Sequence, residues 1–108
     1  MADIFDTALS NIFKPPLGAE ATFSPASGDD VTGIYVSLEL STEVQSSDVT
    51  GRTMIMPTIE YIINDIGREV VTGETFEITE AESPGYGNTY EVCERVGYDG
   101  RTAMVTVK

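Results

Sequence analysis

The sequence predicts a mainly β domain, a small β-sandwich or partly open barrel of about six to seven strands with a short N-terminal helix. Three observations carry this expectation. Apolar and polar residues alternate through most of the chain, turn clusters rich in Gly, Ser, Asp and Asn recur at short spacing, and helical periodicity is confined to the opening stretch MADIFDTALSNIFKPPLG. With 108 residues, 41% of them apolar, the chain reads as one domain over residues 1–108, divided into a helical arm (1–18) and a β core (19–108).

The elements follow in order. Asp3 is placed to cap a helix whose inward face is Ile4, Phe5, Ala8, Leu9, Ile12 and Phe13; Asp6 suits its positive end and Lys14 its negative end. Pro15 and Pro16 stop it. At about three turns the helix needs a surface to pack on, either its own sheet or a neighbouring subunit. Ala19 to Phe23 is a short strand, and SPASGDD a turn. Val31 to Leu40 alternates cleanly, with Ile34, Val36, Leu38 and Leu40 expected on one face and Tyr35, Ser37 and Glu39 on the other. Ser41 to Gly51 has no useful period and is expected to be a long, exposed, mobile loop. Thr53 to Ile63 is β-rich, but Pro57 within it requires an edge or a bulge. Asn64 to Gly67 reads as a turn, with Arg68 to Val71 continuing in extended form. Glu74 to Thr79 places Phe76 and Ile78 inward, and EAESPGYGN is a second polar loop. Thr89 to Val96 and Arg101 to Val107 form a hairpin around Asp99-Gly100, a pair suited to a tight turn.

Little chemistry is encoded. The chain has no histidine, which removes the commonest general base and transition-metal ligand, so it is not expected to be an enzyme. Its single cysteine, Cys93, falls in a strand and reads as a packed residue, and a lone cysteine excludes an internal disulfide framework. Carboxylates recur at Asp29-Asp30, Glu39 with Glu43, and Glu77, Glu80 and Glu82, but no D-x-D-x-D-G calcium loop and no phosphate-binding glycine motif is present. No cofactor is expected. Six basic residues against 18 acidic ones give a formal charge of −12, which disfavours phosphate neutralisation and is compatible with a basic partner, a bound cation or simple solubility. Asp3 and Asp6 stand where a signal peptide would be positive, so synthesis in the cytoplasm is expected, and no apolar run approaches a membrane span. Among the five tyrosines, Tyr86 is the one placed in a loop and best suited to a partner contact.

Taken in order, Met1-Ala2-Asp3-Ile4-Phe5-Asp6, Thr32-Gly33-Ile34-Tyr35, the polar stretch Ser41 to Gly51, Gly73-Glu74-Thr75-Phe76-Glu77-Ile78, Tyr90-Glu91-Val92, Val96 and Asp99-Gly100 form an arrangement that resembles small head-tail joining (head completion or stopper) proteins of long-tailed bacteriophages. The chain is more acidic than that pattern and lacks a polar tail after its last strand. The resemblance implies a virion structural protein at the neck, assembled in the host cytoplasm, that closes the DNA channel and docks the tail. It implies a homo-oligomeric ring, commonly sixfold, contacting portal or adaptor proteins and tail proteins, with DNA passing through unbound. The partner-binding residues expected on this basis are Ile4, Phe5, Leu9, Ile12, Phe13, Glu43, Gln45, Asp48 and Tyr86. A tail terminator or other neck component, and a non-viral acidic β interaction or calcium-binding module, are the alternatives.

Overall fold

The computed structural model describes residues 18–45 and 53–108. The helix expected near the N-terminus and the second half of the expected loop, 46–51, lie outside the described residues. Among the described residues there are six strands: β1 (Ala19–Ser24), β2 (Val31–Gln45), β3 (Thr53–Ile62), β4 (Thr75–Ile78), β5 (Thr89–Tyr98) and β6 (Thr102–Val107). A single helical turn, α1 (Ile63–Ile66), follows β3. The strands close into a barrel in the order β1-β2-β3-β6-β5-β4, every neighbour antiparallel. The chain is therefore mainly β, and the barrel is closed, since β4 pairs with β1 through Ala21↔Ile78 and Phe23↔Phe76.

Period-two alternation fills the interior. Ala21, Phe23, Val36, Ile59, Tyr61, Phe76, Ile78, Val92, Val105 and Val107 are all essentially inaccessible. Each large one contributes roughly 1.5–3 kcal/mol by leaving water. Phe76 stands at the centre, its ring 5.2 Å from Phe23 and 5.7 Å from Tyr61 in tilted contacts. The Tyr61 hydroxyl accepts the Val70 N–H at 2.9 Å, and burial pushes its phenol above the usual value.

The antiparallel registers define two ends. At the first lie the β1–β2 turn, α1 with the crossover 67–74, and the β5–β6 turn. At the second lie Gly18, the far part of the β2–β3 hairpin and the β4–β5 loop. The first end is crossed because β3 and β4 are not neighbours, and one carboxylate holds the crossing chain. Glu74, only 2% exposed, begins the inward series that continues with Phe76 and Ile78. Its Oε1 accepts from Arg68 Nη1 at 2.9 Å and the Val71 N–H at 2.8 Å; its Oε2 accepts from Arg68 Nη2 at 2.6 Å and the Ala26 N–H at 3.0 Å. Four donors thus tie the β1–β2 turn, the crossover and the start of β4 to one side chain. The Arg68 guanidinium, with the Val71 and Ala26 amides, outweighs the desolvation cost and holds the Glu74 carboxyl down at about 2.

Several local expectations are corrected. Leu40 is 43% exposed, not inward, because Leu40 and Ser41 together oppose Pro57 between the pairs Glu39↔Thr58 and Thr42↔Met56. That bulge, which the proline foretold, breaks the alternation. Residues 41–45, expected in a loop, continue β2, and 42–45 pair with 53–56. Asn64 to Gly67 is a helical turn ended by Gly67 at φ 95°, a backbone angle that glycine adopts without strain. Arg68 to Val71 does not form a strand, because Val70 and Val71 bond to side chains across the barrel end.

The depressed carboxyl fixes the sign of a pH effect. Glu74 stabilises the fold fully above the ordinary carboxyl value of 4.5, and the contribution fades as pH falls towards about 2. At about 1.4 kcal/mol per tenfold change the upper limit is roughly 3 kcal/mol. Solvent at Arg68, 47% exposed, screens part of it. In denaturant titrations Glu74→Gln should lower stability at pH 7 by about 2 kcal/mol. The gap between wild type and variant should shrink on acidification to pH 3; an unchanged gap would refute the assignment.

Candidate functional site

The second end of the barrel carries the features suited to a partner. β1 pairs with β2 only as far as Val36, and β6 pairs with β3 only from Thr58 onward. Beyond these points β2 and β3 have only each other, so residues 40–45 and 53–57 stand away from the barrel as a two-stranded ribbon. At about 3.3 Å per residue, its five or six residues add roughly 17–20 Å, and the molecule measures 42 × 28 × 28 Å. Ile55, 66% exposed, pairs directly with Glu43, also exposed, and Leu40 is exposed at the root. Both outer edges of the ribbon present backbone groups that no described strand covers.

The β4–β5 loop sits beside the ribbon and is built to hold its shape. Ser83 N–H bonds to Glu80 O, Tyr86 N–H to Ser83 O and Asn88 N–H to Gly85 O, all at 3.0–3.1 Å. Gly85 is buried against the barrel: a Cβ there would meet Leu38 Cδ2 at 2.5 Å and Tyr90 Oη at 3.1 Å. A side chain here would have to displace Leu38 or lift the loop, and the next residue, Tyr86, is 58% exposed.

Of the expected partner-binding residues, Glu43 and Tyr86 are exposed at this end, and Gln45 lies on the ribbon backbone paired with Thr53. Ile4, Phe5, Leu9, Ile12, Phe13 and Asp48 lie outside the described residues. Leu40 and Ile55 were missed. The signal for Leu40 was Pro57, whose bulge flips the residue opposite; Ile55 gave none, since its exposure depends on where β6 stops.

The other candidates are engaged in the fold. Cys93 is half-buried in β5, its Sγ directed at Glu91 O at 3.7 Å. A shallow hollow of about 370 Å³ lies among Asn64, Asp99, Gly100 and Arg101. The Asp99 carboxylate there accepts the Thr102 N–H at 2.7 Å and the Arg101 N–H at 2.9 Å, which hold it below the usual carboxylate range and secure the turn at Gly100, φ 93°. Among the described residues no three Cys, Asp or Glu side chains are grouped to hold a metal ion, and no helix is long and apolar enough to cross a membrane. No protein-family model and no curated protein sequence matches the chain.

Gly85→Val should cost about 1–3 kcal/mol by overpacking against Leu38 and Tyr90. It should also release Tyr86, seen as faster exchange of the Tyr86 and Asn88 amides. Unchanged stability and exchange would show that the loop does not rest on the barrel as described.

Proposed function

We propose that this protein is a structural joining subunit of a tailed-phage neck, forming a ring between the portal side of the head and the tail. The observation that carries the reading is the ribbon end: a closed barrel extends a two-stranded arm with Leu40 and Ile55 exposed, and the exposed Tyr86 lies in the loop at the same end. Exposed strand edges and apolar side chains on an arm suit addition to a neighbouring subunit, where backbone pairing supplies affinity and alternate side chains supply specificity. The resemblance of the sequence to head-tail joining proteins supports a second copy in the ring or an adjoining neck protein as that neighbour. The acidic surplus serves as a surface that repels DNA in transit or meets basic partners.

The test uses DNA-filled heads and free tails from a phage lacking this gene. Adding the purified chain should restore joined particles in electron micrographs. Leu40→Asp with Ile55→Asp should reduce joining at least tenfold at unchanged melting temperature, since both positions are solvent-facing in the monomer. Full joining by the double variant would remove the ribbon from the interface. Joined, infectious particles without the chain would remove the function.

A further inference from the structure

Among the described residues, the large exposed apolar side chains fall into two sets at opposite ends of the barrel. Leu40, Ile55 and Tyr86 belong to the ribbon end; Val71 of the crossover, with Val96 and Tyr98 of β5, belongs to the clasped end. Val71 is held beside β5, because Arg95 Nη1 donates to Glu69 at 2.8 Å and Thr72 Oγ1 donates to Cys93 O at 2.7 Å, on either side of it in the chain. The molecule is 42 Å long, so the two sets cannot meet within one copy. Each set also carries a charge beside its apolar group. On the ribbon, Ile55 pairs directly with Glu43, which places their Cβ atoms about 5 Å apart. Glu43 is the charged residue among the described ribbon positions, 40–45 and 53–57. At the clasped end the Arg95 guanidinium lies 5.0 Å from the centre of the Tyr98 ring. Its Nη1 serves Glu69, and a five-donor guanidinium on a side chain 54% exposed has room for a second carboxylate. An apolar–acid pair at one end thus matches an aromatic–guanidinium pair of similar spacing at the other.

We propose that the ribbon of one copy docks on the clasped end of a second copy, with Ile55 against Tyr98 and Val71, and Glu43 against Arg95. The inference rests on the ribbon being the joining surface. Charge selects the head-to-tail arrangement. Ribbon on ribbon would bring two Glu43 side chains to one interface, and clasped end on clasped end two Arg95 side chains; like charges brought together across an interface are unfavourable. Ribbon on clasped end sets acid against guanidinium and apolar against aromatic. A contact between two different patches leaves each copy with one patch still to fill, so it repeats from copy to copy and gives a ring where the rotation closes. A contact of one patch with itself would stop at a dimer.

Two variants of the full chain test this by analytical ultracentrifugation at millimolar concentration. The ribbon variant, Leu40→Asp with Ile55→Asp, keeps its clasped end; the clasp variant, Val71→Asp with Tyr98→Asp, keeps its ribbon. All four positions are exposed, so melting temperatures should stay near that of wild type. Wild type should associate beyond a dimer, and either variant alone should self-associate at least about tenfold more weakly. Mixed, the two variants should form a one-to-one complex and go no further, because a single intact ribbon then meets a single intact clasped end. A mixture that stays as two monomers, or a wild type that does not associate, would overturn the proposal. If the clasp variant does not fold, Tyr98→Ser takes its place. The joining assay separates this inference from the function. Full joining by the clasp variant, with none by the ribbon variant, would remove the clasped end as the seat and leave the neck function standing. Joining without the chain would remove that function, and the one-to-one complex would still decide the contact.

Discussion

One buried carboxylate holds together the crossed end of this closed barrel. β3 and β4 are consecutive in the chain yet lie on opposite sides of the ring, so residues 67–74 must cross a barrel end and return inward. A crossing segment has backbone groups to satisfy and little apolar surface of its own. Glu74 supplies acceptors for the Val71 and Ala26 amides and for both terminal nitrogens of Arg68, joining the crossover to the β1–β2 turn, 48 residues away in sequence. Arg68 completes the clasp from outside, its guanidinium 5.9 Å from the centre of the Phe23 ring. A hydrophobic residue at position 74 would pack as well as Phe76 and Ile78 do, but would leave the turn and the crossover without a common anchor.

That anchor divides the molecule by role. At the clasped end the crossover is also bonded to β5, through Thr72 Oγ1 to Cys93 O and the Arg95–Glu69 ion pair. The opposite end has the ribbon and the exposed Tyr86. The ribbon joins uncovered strand edges to the exposed Leu40 and Ile55, while at the clasped end Val71, Val96 and Tyr98 are exposed and β4 covers β5 only as far as Glu91. A closed ring of strands keeps the barrel itself from edge-to-edge association.

The interior was legible because it obeys a local rule. Ile34, Val36, Phe76 and Ile78 face inward as period-two alternation requires, and the Asp99-Gly100 turn follows from backbone angles that few residues accept. Legibility failed where a residue's surroundings are set by distant chain. Leu40 kept its place in the alternation on paper, but the bulge opposite Pro57 turned it outward. Glu74 shared the inward phase of Phe76 and Ile78, yet a carboxylate in that phase is credible only once Arg68 and two loop amides converge on it. At the candidate site, Tyr86 and Glu43 were found from loop and acidic character, whereas Ile55 depended on the length of β6.

The account stands on the clasp being a permanent part of the folded barrel. Native-state hydrogen exchange reads this directly through the Ala26 and Val71 amides, both near the surface and both donating to Glu74. Their exchange should be slowed close to that of the core amide of Val92, so that they open only when the barrel opens. Exchange as fast as that of Asp29 and Asp30 in the same turn region would contradict the account, because the crossing segment would then move independently of the strands it is said to hold.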